Sequence, residues 1–392
     1  MSERFRFISK SWEGVYAADF TLDQVRRRGY HLGEALHARG WSCLIAYDTR
    51  FMSNLFAHDI HQCLTLQGIP TTLVAAPAPM PAVQSALDQQ QANCALVVTA
   101  RNQPYWYNGL VLVGPQDADL PLYPGEVEVE TQPFPPSPVN DPLAGQGQKA
   151  GSGKPHDLRA PYLDMLRKHI DVNLIRRSTM TIFVDPMNGT TAGYLPAVIS
   201  EGGQTRAIEI NRETDPLFSK LTPLPAETGL TRLRKLVRES DSHLGLALSA
   251  DGTALGVVDK NGEQLEPIEI VLLLAAYLVR QYRQKGLVIA PAPTAESRFA
   301  DSLVGLSEWE DALGLKVELA EDASARIAAL PATGKNNLLV GCSSEGGIIL
   351  GNYTLYPDAL LAGLMMAELV ARNAGNLQAM LNELRGRLET KS

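Results

Sequence analysis

Cys43-Leu-Ile-Ala-Tyr47 and Cys94-Ala-Leu-Val-Val98 decide the fold class. Each is an unbroken apolar run of strand length. Between them the period changes: Leu55, Phe56, Ile60, Cys63 and Leu64 recur at helical spacing up to Gly68, and Ile69 to Val74 resumes as strand. Upstream, Thr21 with Gln24 three residues on marks a helix start, and Val25, Leu32, Ala35 and Leu36 carry the apolar face to Gly40. A further helix follows Pro77-Ala-Pro-Met-Pro81. Strand–helix alternation of this kind predicts an α/β fold, in which chemistry gathers where strands end and loops begin. The loops after Tyr47 and Val98 are therefore the first candidates.

The same alternation continues outward. Met180 to Val184 and Leu244 to Leu248 read as strands with a helical pattern, Leu230 to Val237, between them. After the turn Asn261-Gly262 come a hydrophobic helix, the strand Leu338 to Val340 and a helix from Asp358 to Ala371. Residues 131–158 are rich in proline and glycine and lack an apolar period, which predicts a linker or long loop. The expected organisation is three α/β domains, at 1–133, 159–262 and 263–392, with 134–158 as the linker.

Composition narrows the function. The chain has 392 residues, is 45% hydrophobic and 20% charged, and carries a formal net charge of −8, so it has the ordinary globular mixture and no global basic field for nucleic acid or anionic membrane. Its longest apolar run, Ile270 to Val279, is half the roughly 20 residues that span a bilayer and reads as a buried helix. No apolar segment follows the charged N-terminal residues, and a cytoplasmic location is expected. The scattered Cys43, Cys63, Cys94 and Cys342 read as buried free thiols. Gly151-Ser-Gly-Lys154 lacks the first glycine and the final hydroxyl of a phosphate loop. Glu126, Glu128 and Glu130 read as one face of an edge strand.

Several segments taken in order resemble the α-D-phosphohexomutase family of phosphoglucomutases and phosphomannomutases. They are Trp12 and Gly14, Tyr47-Asp-Thr-Arg50, Thr99-Ala100 with Tyr107-Asn-Gly109, Asp185-Pro-Met-Asn-Gly189, Asp215-Pro-Leu-Phe218, Leu244-Gly-Leu-Ala247, Gly256-Val-Val-Asp259 and Gly346-Gly347. The resemblance implies consecutive α/β/α domains and phosphoryl transfer on hexose phosphates. It further implies a phosphorylated serine, a magnesium ion on three aspartates, a sugar-reading loop and a fourth, phosphate-clamping domain.

The chain departs from that pattern at each part. Arg101 stands at the phosphoserine position and Asn102 at the neighbouring histidine, so no catalytic residue is expected there; a guanidinium cannot carry the phosphoryl group. Of the metal loop's three carboxylates only Asp251 remains in Ser249-Ala-Asp-Gly-Thr-Ala254, a poor donor set for magnesium, and no cofactor is expected. Glu13 replaces an arginine, and the paired charge changes predict a Glu13–Arg101 ion pair. Ser343, Ser344 and Glu345 occupy the sugar-reading positions, and they and Arg50 are the residual ligand-binding candidates, although Asp48 and Arg50 also suit a structural role. Arg326 is the only cation near an expected lysine. The fourth domain is expected to be absent. The reading is a catalytically degenerate family member that binds another protein or a small sugar phosphate. The alternatives are a mutase using other groups or a partner-supplied domain, and a sugar-phosphate sensor.

Overall fold

The computed structural model describes residues 7–115, 118, 120, 122, 156–220, 222–300, 303–330 and 337–389. The expected linker and the Glu126–Glu130 strand lie largely or wholly outside them.

The first sheet contains β1 (Phe7–Val15), β2 (Cys43–Tyr47), β3 (Thr71–Leu73), β4 (Cys94–Val98) and β5 (Tyr107–Pro115), with helices α1 (Leu22–Arg39), α2 (Ser53–Leu66) and α3 (Met80–Asp88) in the connections. The order is β1-β5-β4-β2-β3. After α4 (Arg159–Lys168) and α5 (Val172–Arg177), β6 (Thr181–Asp185), α6 (Tyr194–Ile199), β7 (Arg206–Glu209), α7 (Thr231–Glu239), β8 (Leu244–Leu248) and β9 (Leu255–Val258) build a second sheet, ordered β7-β6-β8-β9. The third comprises α8 (Pro267–Tyr282), β10 (Leu287–Pro291), α9 (Leu306–Leu313), β11 (Lys316–Ala320), α10 (Ala323–Ala328), β12 (Leu338–Cys342) and β13 (Ile348–Leu350), followed by α11 (Ala359–Arg372) and α12 (Leu377–Glu389). Its order is β11-β10-β12-β13.

One pattern repeats three times. In each sheet the strand that begins the unit's parallel core, β2, β6 or β10, lies between two parallel neighbours, and the last strand turns back antiparallel. Parallel strands are covered on both faces, which is why β2, β4 and β8 are buried at every position and read as continuous apolar runs. By contacts the chain divides into two compact units. The first comprises residues 1–162, 188–190 and 214–223, and the second the remainder, including the second and third sheets.

Local signals place the ends. Thr21 caps α1 by accepting from the Gln24 N–H, and Gly40 ends it at φ 63°. Asp358 accepts from Leu361 N at 2.9 Å to start α11, whose residues are buried from Ala359 to Ala371. The strand expected over 69–74 is shorter: β3 stops at Leu73, and Val74 instead bridges to His156. All four cysteines are free and buried. Among the described residues no helix is long and apolar enough to cross a membrane.

Candidate functional site

The repeated topology puts three loops in one equivalent place, between the third parallel strand and its antiparallel neighbour: residues 99–106, 249–254 and 343–347. These are the loops that carry Arg101, Asp251 and Ser343 to Glu345.

In the first unit, Arg50 organises the loop after β4. Its Nη1 donates to Pro104 O at 2.9 Å and Tyr107 O at 3.1 Å, and its Nη2 to Arg101 O and Gln103 O, both at 2.7 Å. Nε lies 3.2 Å from Asp48 Oδ2, and the side chain is 0% exposed. The guanidinium fork thus satisfies carbonyls that an irregular loop would leave unpaired. Arg50 consequently acts as a structural tie, its nitrogens facing the chain's own oxygens. Burial pushes the Asp48 carboxyl above the usual carboxylate range, while Arg50 and hydrogen bonds from Thr99, the Arg50 N–H and Ser53 oppose the rise.

Arg101 has left-handed backbone geometry, φ 49°. Its N–H donates to Thr99 Oγ1 at 2.9 Å, so the threonine hydroxyl holds the turn. Its guanidinium donates to Ser9 Oγ. The Glu13–Arg101 ion pair expected from the sequence is not formed. Glu13 stands opposite Gly109 in the β1–β5 register, and its Cγ lies over that glycine, 3.0 Å from where a Cβ would be. Ser9 and Glu13 are four residues apart on one face of β1, a run of about 13 Å, so a guanidinium drawn to Ser9 is carried away from the carboxylate.

A hydrogen-bonded chain that the sequence did not announce supports this loop. Ser53 Oγ donates to Asp48 Oδ1 at 2.8 Å, and Asn108 Nδ2 donates to Ser53 Oγ at 3.0 Å and Tyr16 Oη at 2.8 Å. The Tyr16 hydroxyl in turn donates to Phe51 O. Burial, then the Asp48 charge, holds that phenol protonated far above its ordinary range. Asp48 in Tyr47-Asp-Thr-Arg50 and Asn108 in Tyr107-Asn-Gly109 were the traces of this network in the sequence.

In the second unit, the 249–254 loop closes on its own side chains. Asp251 Oδ1 accepts from Ser249 Oγ at 2.6 Å, Thr253 Oγ1 at 2.8 Å and Thr253 N at 3.0 Å. Ser249 Oγ accepts from Thr253 N and Ala254 N. Asp251 is 3% exposed, and its Oδ2 has no hydrogen-bond partner. A single open carboxylate oxygen is far from the near-octahedral set of six oxygens that magnesium demands, and both neighbouring hydroxyls already serve the aspartate. Among the described residues no cluster of three or more His, Cys, Asp or Glu side chains can hold a metal ion. These residues do not fit the ion that the family pattern implies.

The 343–347 loop adjoins it. Ser343 Oγ accepts from Gly347 N at 2.9 Å, and Gly346 O accepts from Leu255 N at 3.0 Å beside an Ala254–Gly347 bridge. Ser344 and Glu345 are exposed at the tip, whereas Ser343 is occupied in closing the turn. Arg326 does not stand free in place of the expected lysine: its guanidinium forks onto Glu318 at 2.5 and 3.0 Å.

One further carboxylate stands in a segment quoted from the sequence but given no role there. Asp185, the last residue of β6, is buried; it accepts from Met187 N and Asn211 Nδ2, each at 2.8 Å. Burial pushes it up to about 6, with those hydrogen bonds and the Arg232 charge acting in the other direction.

Three sheets that repeat one four-stranded core, each with a loop in the equivalent place after its third parallel strand, define an α/β protein built from repeated modules. Family models agree. Residues 5–127 match phosphoglucomutase/phosphomannomutase alpha/beta/alpha domain I, and residues 160–262 match domain II. Together they cover more than half of the chain, which belongs to the α-D-phosphohexomutase family.

Among its relatives, a probable phosphoglucosamine mutase of Pyrococcus abyssi is 27% identical over 358 residues, spanning 90% of this chain and 72% of the relative. A phosphoglucomutase/phosphomannomutase of Thermococcus kodakarensis is 23% identical, over 95% and 78%. The crystal structure of a phosphoglucomutase/phosphomannomutase family protein from Burkholderia thailandensis shares the fold, with a TM-score of 0.72 at 20% identity over 95% of this chain and 78% of that one.

Proposed function

We propose that this chain is a noncatalytic phosphohexomutase relative that acts by binding. The observation that carries the reading is Arg101: at the position where the resemblance puts a phosphoserine, the side chain is a guanidinium bonded to Ser9. A phosphoryl group cannot be carried and returned by a group that stays protonated and offers no nucleophilic oxygen. Thr99 does not substitute, because its hydroxyl accepts from the Arg101 N–H and serves Asp48. The self-closed Asp251 loop supports the same reading, since loss of nucleophile and loss of charge neutralisation each remove orders of magnitude in rate.

The test is interconversion of glucose 1-phosphate and glucose 6-phosphate with magnesium and a hexose bisphosphate, together with mass spectrometry of the intact protein. No turnover and no phosphorylated residue are expected; a phosphorylated side chain that passes its group to a hexose would overturn the reading. A sugar-phosphate sensor is the second reading, supported by Ser344 and Glu345, which are exposed on a turn braced by Ser343.

A further inference from the structure

A cavity of about 190 Å³ lies in the second unit among α8, α9, α11 and α12, apart from the three loops. Its floor is apolar: Leu272, Leu273, Trp309 and Leu384 line it, all at most 5% exposed. Its rim is cationic. Arg280 and Arg387 reach the same carboxylate, Glu383, at 3.8 and 3.1 Å. Two guanidinium charges thus share one counter-charge. The third lining arginine, Arg372, is already balanced by Glu368 at 3.3 Å and Asp171 at 3.6 Å and accepts no role here.

We propose that this cavity binds a small organic monoanion with a one-ring aromatic body, the ring seated on the apolar floor and the carboxylate between Arg280 and Arg387. The size fits, since a dry apolar cavity of about 150 Å³ holds benzene and the remainder accommodates a short acidic arm. Trp309 supplies an aromatic wall for such a ring. Charge fits as well: each guanidinium has five N–H donors, and among the described residues these two contact only Glu383, so donors remain for a second carboxylate. A hexose phosphate is a poor match, because its hydroxyls would be stripped of water against leucine side chains. The proposal does not rest on the absence of mutase activity.

Titration calorimetry of the full chain with phenylacetate, phenylacetamide and glucose 1-phosphate tests it. Saturable one-to-one binding of phenylacetate is expected, at least tenfold weaker for the amide and for the R280Q/R387Q variant. Glu383→Gln, which removes the competing carboxylate, is expected to tighten binding severalfold, and Ala276→Leu, which narrows the cavity, to abolish it. Absence of saturable binding to the wild-type chain, or affinity unchanged in both R280Q/R387Q and Ala276→Leu, overturns the proposal.

Discussion

Asp48 and Asp185 stand at corresponding places in two sheets of the same topology, directly after β2 and at the end of β6. Both are buried, yet they are stabilised differently. Asp48 lies against the Arg50 guanidinium, which also gathers four carbonyls. Asp185 has an amide and a backbone N–H, with Arg232 acting only at longer range. One topology can thus stabilise a buried strand-end carboxylate either with a direct ion pair or with neutral donors; burial raises both carboxyls, and at Asp185, which only neutral donors touch, it raises the group to about 6.

The sharpest way to break the comparison is Arg50→Ala. It strands the buried Asp48 charge and unbinds four carbonyls, so it is expected to destabilise the protein by roughly 3–5 kcal/mol in denaturant unfolding. Arg50→Lys should recover little, because three ammonium donors cannot reproduce the planar fork. A loss below about 1 kcal/mol for Arg50→Ala would show that the tie is dispensable.

Asp185→Asn comes next. Because the folded carboxyl titrates near 6 and the ordinary value is 3.8, the folded state holds its proton longer than the unfolded chain does. Its favourable contribution is therefore complete below about pH 4 and is lost as pH rises through about 6. Wild-type stability relative to Asp185→Asn is expected to fall by up to about 3 kcal/mol between these limits. Asp48 and Asp259 are raised in the same direction but remain in both proteins and cancel in the difference. A flat difference across the window would remove the contrast between the two carboxylates.

The smallest effect is expected at the expected ion pair that is not made. A double-mutant cycle of Glu13→Gln and Arg101→Ala should give a coupling within about 0.5 kcal/mol of zero, since the two side chains have no direct contact in the fold. A coupling above about 1 kcal/mol would restore the pair.

Much of the fold was legible because its signals are local. Cys43–Tyr47, Cys94–Val98 and Leu244–Leu248 were read with the bounds observed, since strands covered on both faces are continuous apolar runs. β1 escaped notice because an edge strand such as Phe-Ile-Ser-Lys-Ser-Trp-Glu-Gly-Val mixes polar and apolar residues and is fixed by its pairing with β5. At the candidate site, the sequence itself shows Arg101 where the resemblance implies a serine, and Asp251 alone where it implies three carboxylates. The hydrogen bonds of those residues were not: Ser9 meets Arg101 across 92 positions of sequence.

By itself the sequence determined the alternation of strand and helix, the family pattern and the chemical identity of the groups standing in its loops, because these depend on residue type and short-range period. Tertiary structure alone decided that Arg50 spends its donors on carbonyls, that Arg101 turns to Ser9 rather than Glu13, and that Asp251 closes on two hydroxyls. Each of those outcomes is set by strand register and burial, which bring together groups whose competition for partners cannot be resolved until the chain has folded.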